Sequence, residues 1–477
     1  LQLHALDFKR LRWARDDLRR QRGGRRGKQP IEPQRCSVDR SMAARVSPMQ
    51  LRLLSHRIAF TARRRAAAAR SQRTLASSRR AAAMASFKVM EVLNKANLLE
   101  ASGASIMHME VGQPSSPAPP SARRAAEAEL AVDAAMGYTS ANGLPELKNR
   151  IARWYADRHG SAVDPERIVV TTGSSAGFIL SFMALWDAGD KVGVPSTAYP
   201  CYRNVLRSLG CEAVPLAGDA SDPRSGFEFP TPAQVEAAAA GDGITGLILS
   251  SPSNPTGAAL SAAELSALAA TCDGAGVRFI SDEIYHHIAY GAEPSPSAVD
   301  LPGAVVVNSF SKFFSMTGWR VGWLVLPAGD AELAGAVLRL QQNLFINAPT
   351  VSQIAASAAF DDVDDVLDGH VRLYAANRAV VLGALERMGV DAAHVAPAAG
   401  AFYVYADLGA YGVADSVDLC NRLLDDEGVA ITPGVDFEFE EAIGKRRVRI
   451  SYCGATPDVE EAMARLARWW AAGKYKE

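Results

Sequence analysis

Lys312 stands in the run NSFSKFFSMTGWRVGW at residues 308–323, just past the apolar stretch AVVV at 304–307, with serines and phenylalanines on either side. A lysine there is out of place as a solvated charge. Eight residues on, Arg320 is framed by Gly318 and Gly322. Small residues let the backbone approach a bound group, and a guanidinium can grip an anion with two parallel hydrogen bonds. An amine in an apolar setting beside an anion clamp is what an aldehyde carrying a phosphate needs.

Other stretches put polar groups where such a molecule could touch them. Residues 167–171 (RIVVT) read as a strand, 172–177 (TGSSAG) as a small-residue turn and 178–185 as an apolar helix. A strand, tight turn and helix N-terminus present unpaired backbone N–H groups to an anion. The strand 246–250 leads into SNPTG at 253–257, which places the Asn254 amide at a strand's carboxyl end, where open parallel sheets bind ligands. The strand 277–281 ends in Asp282-Glu283-Ile284-Tyr285, where the acid would serve equally as a helix N-cap. The strand 192–194 ends in PSTAYPCY, whose Tyr199 could stack on a planar ring.

Ser309-Phe310-Ser311-Lys312 followed by Gly318-Trp319-Arg320-Val321-Gly322 resembles the cofactor-lysine signature of the class I/II aminotransferases, the aspartate aminotransferase-like enzymes of pyridoxal phosphate. The resemblance runs from about residue 86 to the end, with its motifs in the family's order. It implies that Lys312 forms the Schiff base with the cofactor and that Ser309 and Arg320 hold its phosphate. Gly173, Ser174 and Ser175 would complete the phosphate cradle. Tyr199 would stack on the ring, Asn254 and Tyr285 would meet its phenolic oxygen, and Asp282 would pair with the pyridine nitrogen. Gly112, in the turn VGQP at 111–114, would meet the substrate carboxylate together with Asn254. Tyr138, which precedes GLPEL at 143–147, would reach the cofactor phosphate of a partner subunit. Arg449, in RISY after PGVDF at 433–437, would bind the substrate α-carboxylate. Arg447 faces the same side of that strand and leaves its register open.

The implied protein is a homodimeric aminotransferase that moves the amino group of an L-amino acid to a 2-oxo acid. The same residues would serve a lyase or cyclase acting on an amino acid. A pyridoxal-phosphate-sensing transcription regulator would need a DNA-binding N-terminal part, and no helix-turn-helix is readable there.

These residues need a scaffold, and strand signals alternating with helical ones over 167–326 predict an α/β fold. Its sheet would be mostly parallel with helices on both faces. A smaller α+β domain should follow the helices at 331–343 and 351–360 and a long helical stretch to 385. Its expected elements are strands at 401–405 and 447–452 and a helix over 416–426 stopped by Gly428. A last helix would be capped by Thr456, with Pro457 and Asp458 in its first turn and a stripe of Val459, Met463, Leu466 and Trp470. The expected division is a leader at 1–83, a segment at 84–124 packed on the small domain, a large cofactor-binding domain at 125–365 and a small domain at 366–477.

The net charge of -1 over 477 residues conceals an asymmetry. Residues 1–83 hold 20 Arg and 2 Lys against 5 acidic residues, about +17, leaving about -18 for the rest. No acidic residue falls between Ser41 and Met90. That composition resembles an organelle transit peptide starting near Met42, which would send the protein to a mitochondrion or chloroplast. If Met84 is the initiator, the stretch before it is untranslated leader and the enzyme is cytoplasmic. No apolar run is long enough to span a membrane, and neither a membrane nor a nucleic acid is an expected partner. Six cysteines without a C-x-x-C pair and histidines without ligand spacing predict no disulfide framework and no metal site. His286 and His287, being adjacent, would point different ways on any regular element.

Overall fold

The apolar runs become short strands, most of them buried on both faces, which is the pattern of a sheet covered by helices on each side. The computed structural model describes residues 78–82, 84–133, 135–216, 226–291 and 294–476. The leader expected at 1–83 lies outside the described residues apart from 78–82. In chain order the strands are β1 Met107–His108, β2 Ile168–Thr171, β3 Lys191–Pro195, β4 Glu212–Leu216, β5 Gly246–Ser250, β6 Arg278–Asp282, β7 Val305–Ser309, β8 Gly322–Val325, β9 Tyr403–Asp407, β10 Val429–Ala430, β11 Thr432–Pro433 and β12 Arg447–Ser451.

Seven of them form one sheet in the order β2-β8-β7-β6-β5-β3-β4. Neighbours from β7 through β4 pair in parallel, whereas β8 runs antiparallel to both β7 and β2. All the others therefore point their carboxyl ends to one edge. The two-residue period of a strand separates two apolar layers. Val305, Val307, Ile248 and Leu324 pack with Phe178 and Phe182 of the helix Gly173–Leu185 on one face. Val306, Leu247, Leu249 and Trp323 pack with Leu265 and Leu268 of Ala262–Gly274 and Ile151 of Pro145–His159 on the other. On that second face the Trp323 indole donates to the Tyr155 hydroxyl at 3.1 Å, which keeps its one polar atom satisfied.

A second sheet, β11-β12-β9, is antiparallel. β1 pairs in parallel with β10, so Met107 lies beside Val429 and the early chain joins the late one. The helix Ser416–Glu427 ends on Gly428 in the left-handed region at φ 67°, as a C-terminal glycine permits.

Local expectations shift in three places. The helix after β2 begins at Gly173, so Ser174 and Ser175 form its first turn instead of a preceding loop. The last helix, Thr456–Ala471, is preceded by Ala455, and the Thr456 hydroxyl donates to Asn377 Oδ1 at 2.7 Å instead of capping. No helix follows Asp282. Its Oδ1 accepts from the Ile284 backbone N–H at 3.1 Å, closing a turn.

Candidate active site

The carboxyl ends of β2, β3, β5, β6 and β7 deliver Gly173, Tyr199, Asn254, Asp282 and Lys312 to one edge of the large sheet. That is where an open α/β sheet leaves a crevice. A cavity of about 330 Å³ lies there, lined by Ser174, Ser175, Tyr199, Asn254, Asp282, Tyr285, Lys312 and Arg320. Gly112, Tyr403 and Arg449 come to the same cavity from outside the large sheet.

One end is built for an anion. The helix Gly173–Leu185 has no side-chain cap, so the N–H groups of its first turn are open to a ligand at the positive end of the helix dipole. Arg320 has φ 53°, a left-handed conformation rare for a bulky side chain. Its guanidinium packs so close to Gly173 that a Cβ there would lie 2.4 Å from Nη2, and Gly173 itself has φ 75°. A Cβ on Gly322 would likewise lie 2.9 Å from the Ser174 nitrogen. Both glycines are therefore required by close approach. Gly318, by contrast, has open space around its Cα.

The two serines of the lysine motif divide their work differently from the expectation. Ser311 lines the cavity, and Arg320 Nη1 approaches its hydroxyl at 3.5 Å. Ser309 is not among the lining residues; its hydroxyl donates to Val321 O at 3.1 Å and meets Ser311 Oγ at 2.9 Å. It lies at the end of β7, buried, and touches the cavity-lining Ser311.

Lys312 Nζ donates to the Gly112 carbonyl at 2.5 Å and lies over the rings of Tyr285 and Phe402. Burial in this aromatic setting pulls its ammonium down to about 8. Gly112 admits no side chain, since a Cβ would fall 1.7 Å from the Tyr403 hydroxyl oxygen. Tyr403 in turn shares a hydrogen bond of 2.8 Å with Tyr285.

Asp282 is buried, and burial raises its carboxyl to about 7, against the hydrogen bonds from the Tyr202 hydroxyl and the Ile284 N–H. A buried acid held this way favours a cationic partner.

β12 carries two arginines with the same facing and different neighbours. Arg447 donates to Glu438 Oε1 at 3.0 Å and to Asp407 Oδ2 at 3.2 Å, with the Phe227 ring 4.5 Å from its Cζ. Two carboxylates neutralise it away from the cavity. Arg449 lines the cavity and has no carboxylate partner among the described residues. It donates to Asn254 Oδ1 at 2.9 Å and to the Glu110 carbonyl at 2.5 Å, while its Nε is buried and unpaired. The rings of Tyr403 and Phe437 flank it at 4.5 and 4.7 Å. Because Asn254 accepts through Oδ1, its amide N–H groups are left to donate.

The cavity's last wall is one the motifs did not announce. Phe87, Val89 and Met90, at the start of the helix Lys88–Ala101, line it together with Phe437. That helix lacks a cap of its own; Asp436 supplies one from far along the chain, accepting from Lys88 N at 2.8 Å and Val89 N at 2.9 Å. Tyr202, Tyr403 and Asp436 were also missed. Tyr202 was legible as the second tyrosine of PSTAYPCY, three residues after Tyr199, but nothing local marks the other two. Tyr138 lies outside the cavity and is 84% exposed.

The residues present fit a phosphorylated pyridine aldehyde: an open helix start beside Arg320, a desolvated amine, a buried acid and an arginine with a free donor. Residues 104–466 match the family of class I and II aminotransferases. The chain belongs to this family, with the fold type I architecture of its members, and is a pyridoxal-phosphate-dependent aminotransferase that moves an amino group from an amino acid to a 2-oxo acid.

Among its relatives is a valine–pyruvate aminotransferase of Mycobacterium tuberculosis, 44% identical over 80% of this chain and 96% of that one. Another is a (5-formylfuran-3-yl)methyl phosphate transaminase of Methanocaldococcus jannaschii, 32% identical over 80% and 96%. The crystal structure of an aminotransferase from Mycobacterium tuberculosis superposes with a TM-score of 0.77 at 42% identity, covering 84% of this chain and all of that one. These relatives favour amino transfer over elimination, cyclisation or gene regulation.

Proposed function

We propose that Lys312 carries pyridoxal phosphate and that the enzyme takes amino acids with short apolar side chains, valine foremost, with pyruvate as the amino acceptor. When bound, the cofactor supplies an aldehyde to exchange between lysine and substrate and a ring that accepts the electrons of the breaking Cα–H bond. The helix start at Gly173, Ser174 and Ser175 would hold the phosphate with Arg320, and Ser311 would join them while Ser309 orients it. Tyr199 would cover a ring face, and Asn254 and Tyr285 would donate to the phenolic oxygen. Asp282 would keep a proton on the ring nitrogen. Lys312, with its lowered basicity, moves the proton at the substrate Cα. Arg449, whose present partners are neutral, grips the α-carboxylate, and the Gly112 backbone lies beside it.

The substrate preference rests on one observation: these roles use every Lys and Arg among the cavity-lining residues. Asp436 is occupied as a helix cap, so what remains for a substrate side chain is the apolar wall of Phe87, Val89, Met90 and Phe437. The valine–pyruvate relative supports the same reading.

A homodimer is part of the proposal. Leu130, Val132, Met136 and Tyr138 are exposed along one segment, and Leu344 and Ile346 along a second. Thr350, just beyond the second, donates to the Gly137 carbonyl at 2.9 Å. Exposed apolar residues grouped in this way suit a partner surface that also carries Tyr138.

The test compares kcat/KM for valine, leucine and aspartate with pyruvate and 2-oxoglutarate, using the cofactor-loaded enzyme. Valine with pyruvate should exceed aspartate with 2-oxoglutarate by at least about tenfold, equivalent to about 1.4 kcal/mol. A preference for aspartate would overturn the assignment.

A further inference from the structure

Behind the cofactor side of β6 lies a cluster that the transamination reading does not use. His159 is the last residue of the helix Pro145–His159, and His286 and His287 end the turn that follows β6. Adjacent residues would diverge on a strand or helix. Here His287 takes φ 67°, and both rings converge on His159, with centroids 5.4 and 5.2 Å from it. Ring nitrogens from the three residues all lie within 4.8 Å of one another. His286 is 2% exposed; its ring meets the Pro296 backbone, but no hydrogen bond of good geometry satisfies either of its ring nitrogens, His159 Nε2 or His287 Nε2.

Buried polar atoms left unpaired in this number are costly and call for a partner.

Glu283 has the complementary need. It is fully buried and accepts from Ala298 N at 2.7 Å, Ser297 Oγ at 2.8 Å and Ser281 Oγ at 3.1 Å. Among the described residues it has no Lys or Arg ion pair. Its Oε2 lies 3.3 Å from His286 Nδ1. Three unpaired imidazoles beside a carboxylate without a cation are what a divalent metal would satisfy together.

We infer that His159, His286 and His287 bind a divalent cation of the zinc class through three ring nitrogens. The size fits. Some point lies within about 2.8 Å of three atoms no more than 4.8 Å apart, so movements of about 0.7 Å bring them to the roughly 2.0–2.1 Å of a zinc–imidazole bond. Glu283 takes the N–H of His286 Nδ1 and leaves Nε2 for the ion, the carboxylate–histidine–metal arrangement that fixes a ligand's tautomer. The carboxyl end of the helix Pro145–His159 adds a favourable dipole for a cation. An adjoining cavity lined by His159, Ser297 and Asp300 gives entry and a fourth ligand position. Arg158 also lines it and opposes a cation, but Arg158 is paired with Asp364 and Asp368.

The consequence for the enzyme is positional. The segment that presents Asp282 and Tyr285 to the cavity presents Glu283, His286 and His287 to the ion, so the metal would pin that segment from behind.

The test uses the full chain, cofactor-loaded, stripped with a chelator and dialysed against limiting zinc, with bound metal measured by mass spectrometry. One zinc per chain is expected. His159→Gln, at the more accessible ligand, should raise the zinc dissociation constant by at least about tenfold. Cobalt added to the stripped wild type should give the intense visible bands of a low-symmetry, nitrogen-ligated site, a readout that needs no variant. A stripped wild type that takes up no stoichiometric zinc and gives no such cobalt bands would overturn the inference. So would a His159→Gln protein that binds zinc as tightly as the wild type.

Discussion

Arg449 and Arg447 offer a controlled experiment within a single strand. Both are buried on β12, but Arg447 sits between Glu438 and Asp407, whereas Arg449 lines the cavity and has only neutral partners and an unpaired Nε. If Arg449 grips the substrate carboxylate, Arg449→Ala strands one member of a desolvated charge pair, at a cost of roughly 2 to 5 kcal/mol. At about 1.4 kcal/mol per tenfold, kcat/KM for amino acids should fall roughly 30-fold to several thousand-fold. Lysine should restore only part of this, because a point charge cannot reproduce the planar fork.

Arg447→Ala should do the reverse. It leaves the buried Glu438 without its cation, at a cost of roughly 3 to 5 kcal/mol of stability, while Asp407 keeps Arg446 at 2.7 Å. Its Tm should drop by several degrees while kcat/KM per folded enzyme stays within a few-fold of wild type. Steady-state kinetics and thermal unfolding on both variants separate the two roles, and a primary amine without a carboxylate serves as the control substrate. Its slow reaction should be indifferent to Arg449→Ala. Intact amino-acid kinetics in Arg449→Ala would refute the carboxylate assignment.

Three further outcomes follow from the burial of the catalytic groups. With Lys312 at about 8 in the cofactor-free protein, the neutral amine is the minor form below that pH, and capture of pyridoxal phosphate should speed up about tenfold per pH unit and level off above about 8. Stopped-flow absorbance on the apoenzyme would show this, and a rise that continued to pH 10 would mean that the amine is not desolvated. Tyr202→Phe removes the hydroxyl that holds Asp282 toward its ionised form. A hydrogen bond to a charged group is worth about 1.5–3 kcal/mol, so kcat should fall about 10- to 150-fold with KM little changed. Asp282→Asn should retain the cofactor with almost no turnover, and full activity in either variant would leave Asp282 as no more than the closure of its turn.

What the sequence made legible was whatever local order dictates. Strand ends brought Gly173, Asn254, Asp282 and Lys312 to one edge of the sheet because each is fixed by its own strand, and parallel strands all release their carboxyl ends there. Groups fixed by distant neighbours stayed hidden. Nothing near Ser309 says that its hydroxyl turns to the Val321 carbonyl and leaves the cavity to Ser311. The choice between Arg447 and Arg449 depends on Asp407 and Glu438, from elements that sequence order does not pair. The convergence of the histidines stayed hidden for another reason. Divergence of adjacent residues assumes regular elements, and His287 leaves them through a left-handed backbone.

Asp436 shows how such distant contacts join the site into one mechanism. By capping the helix Lys88–Ala101 it ties the apolar wall of Phe87, Val89 and Met90 to the residue beside Phe437, which itself flanks Arg449. The carboxylate grip and the side-chain wall thus hang on adjacent residues of a single loop. The capped helix has few anchors of its own, burying only Val92 and Ala96 within itself, which places it among the parts of the fold easiest to displace. A wall of that kind can adjust to the width of an apolar side chain without disturbing Lys312 or Asp282, which are held by the large sheet. On the proposed reading, substrate breadth would be set at Phe87, Val89 and Met90, and the chemistry at the strand ends.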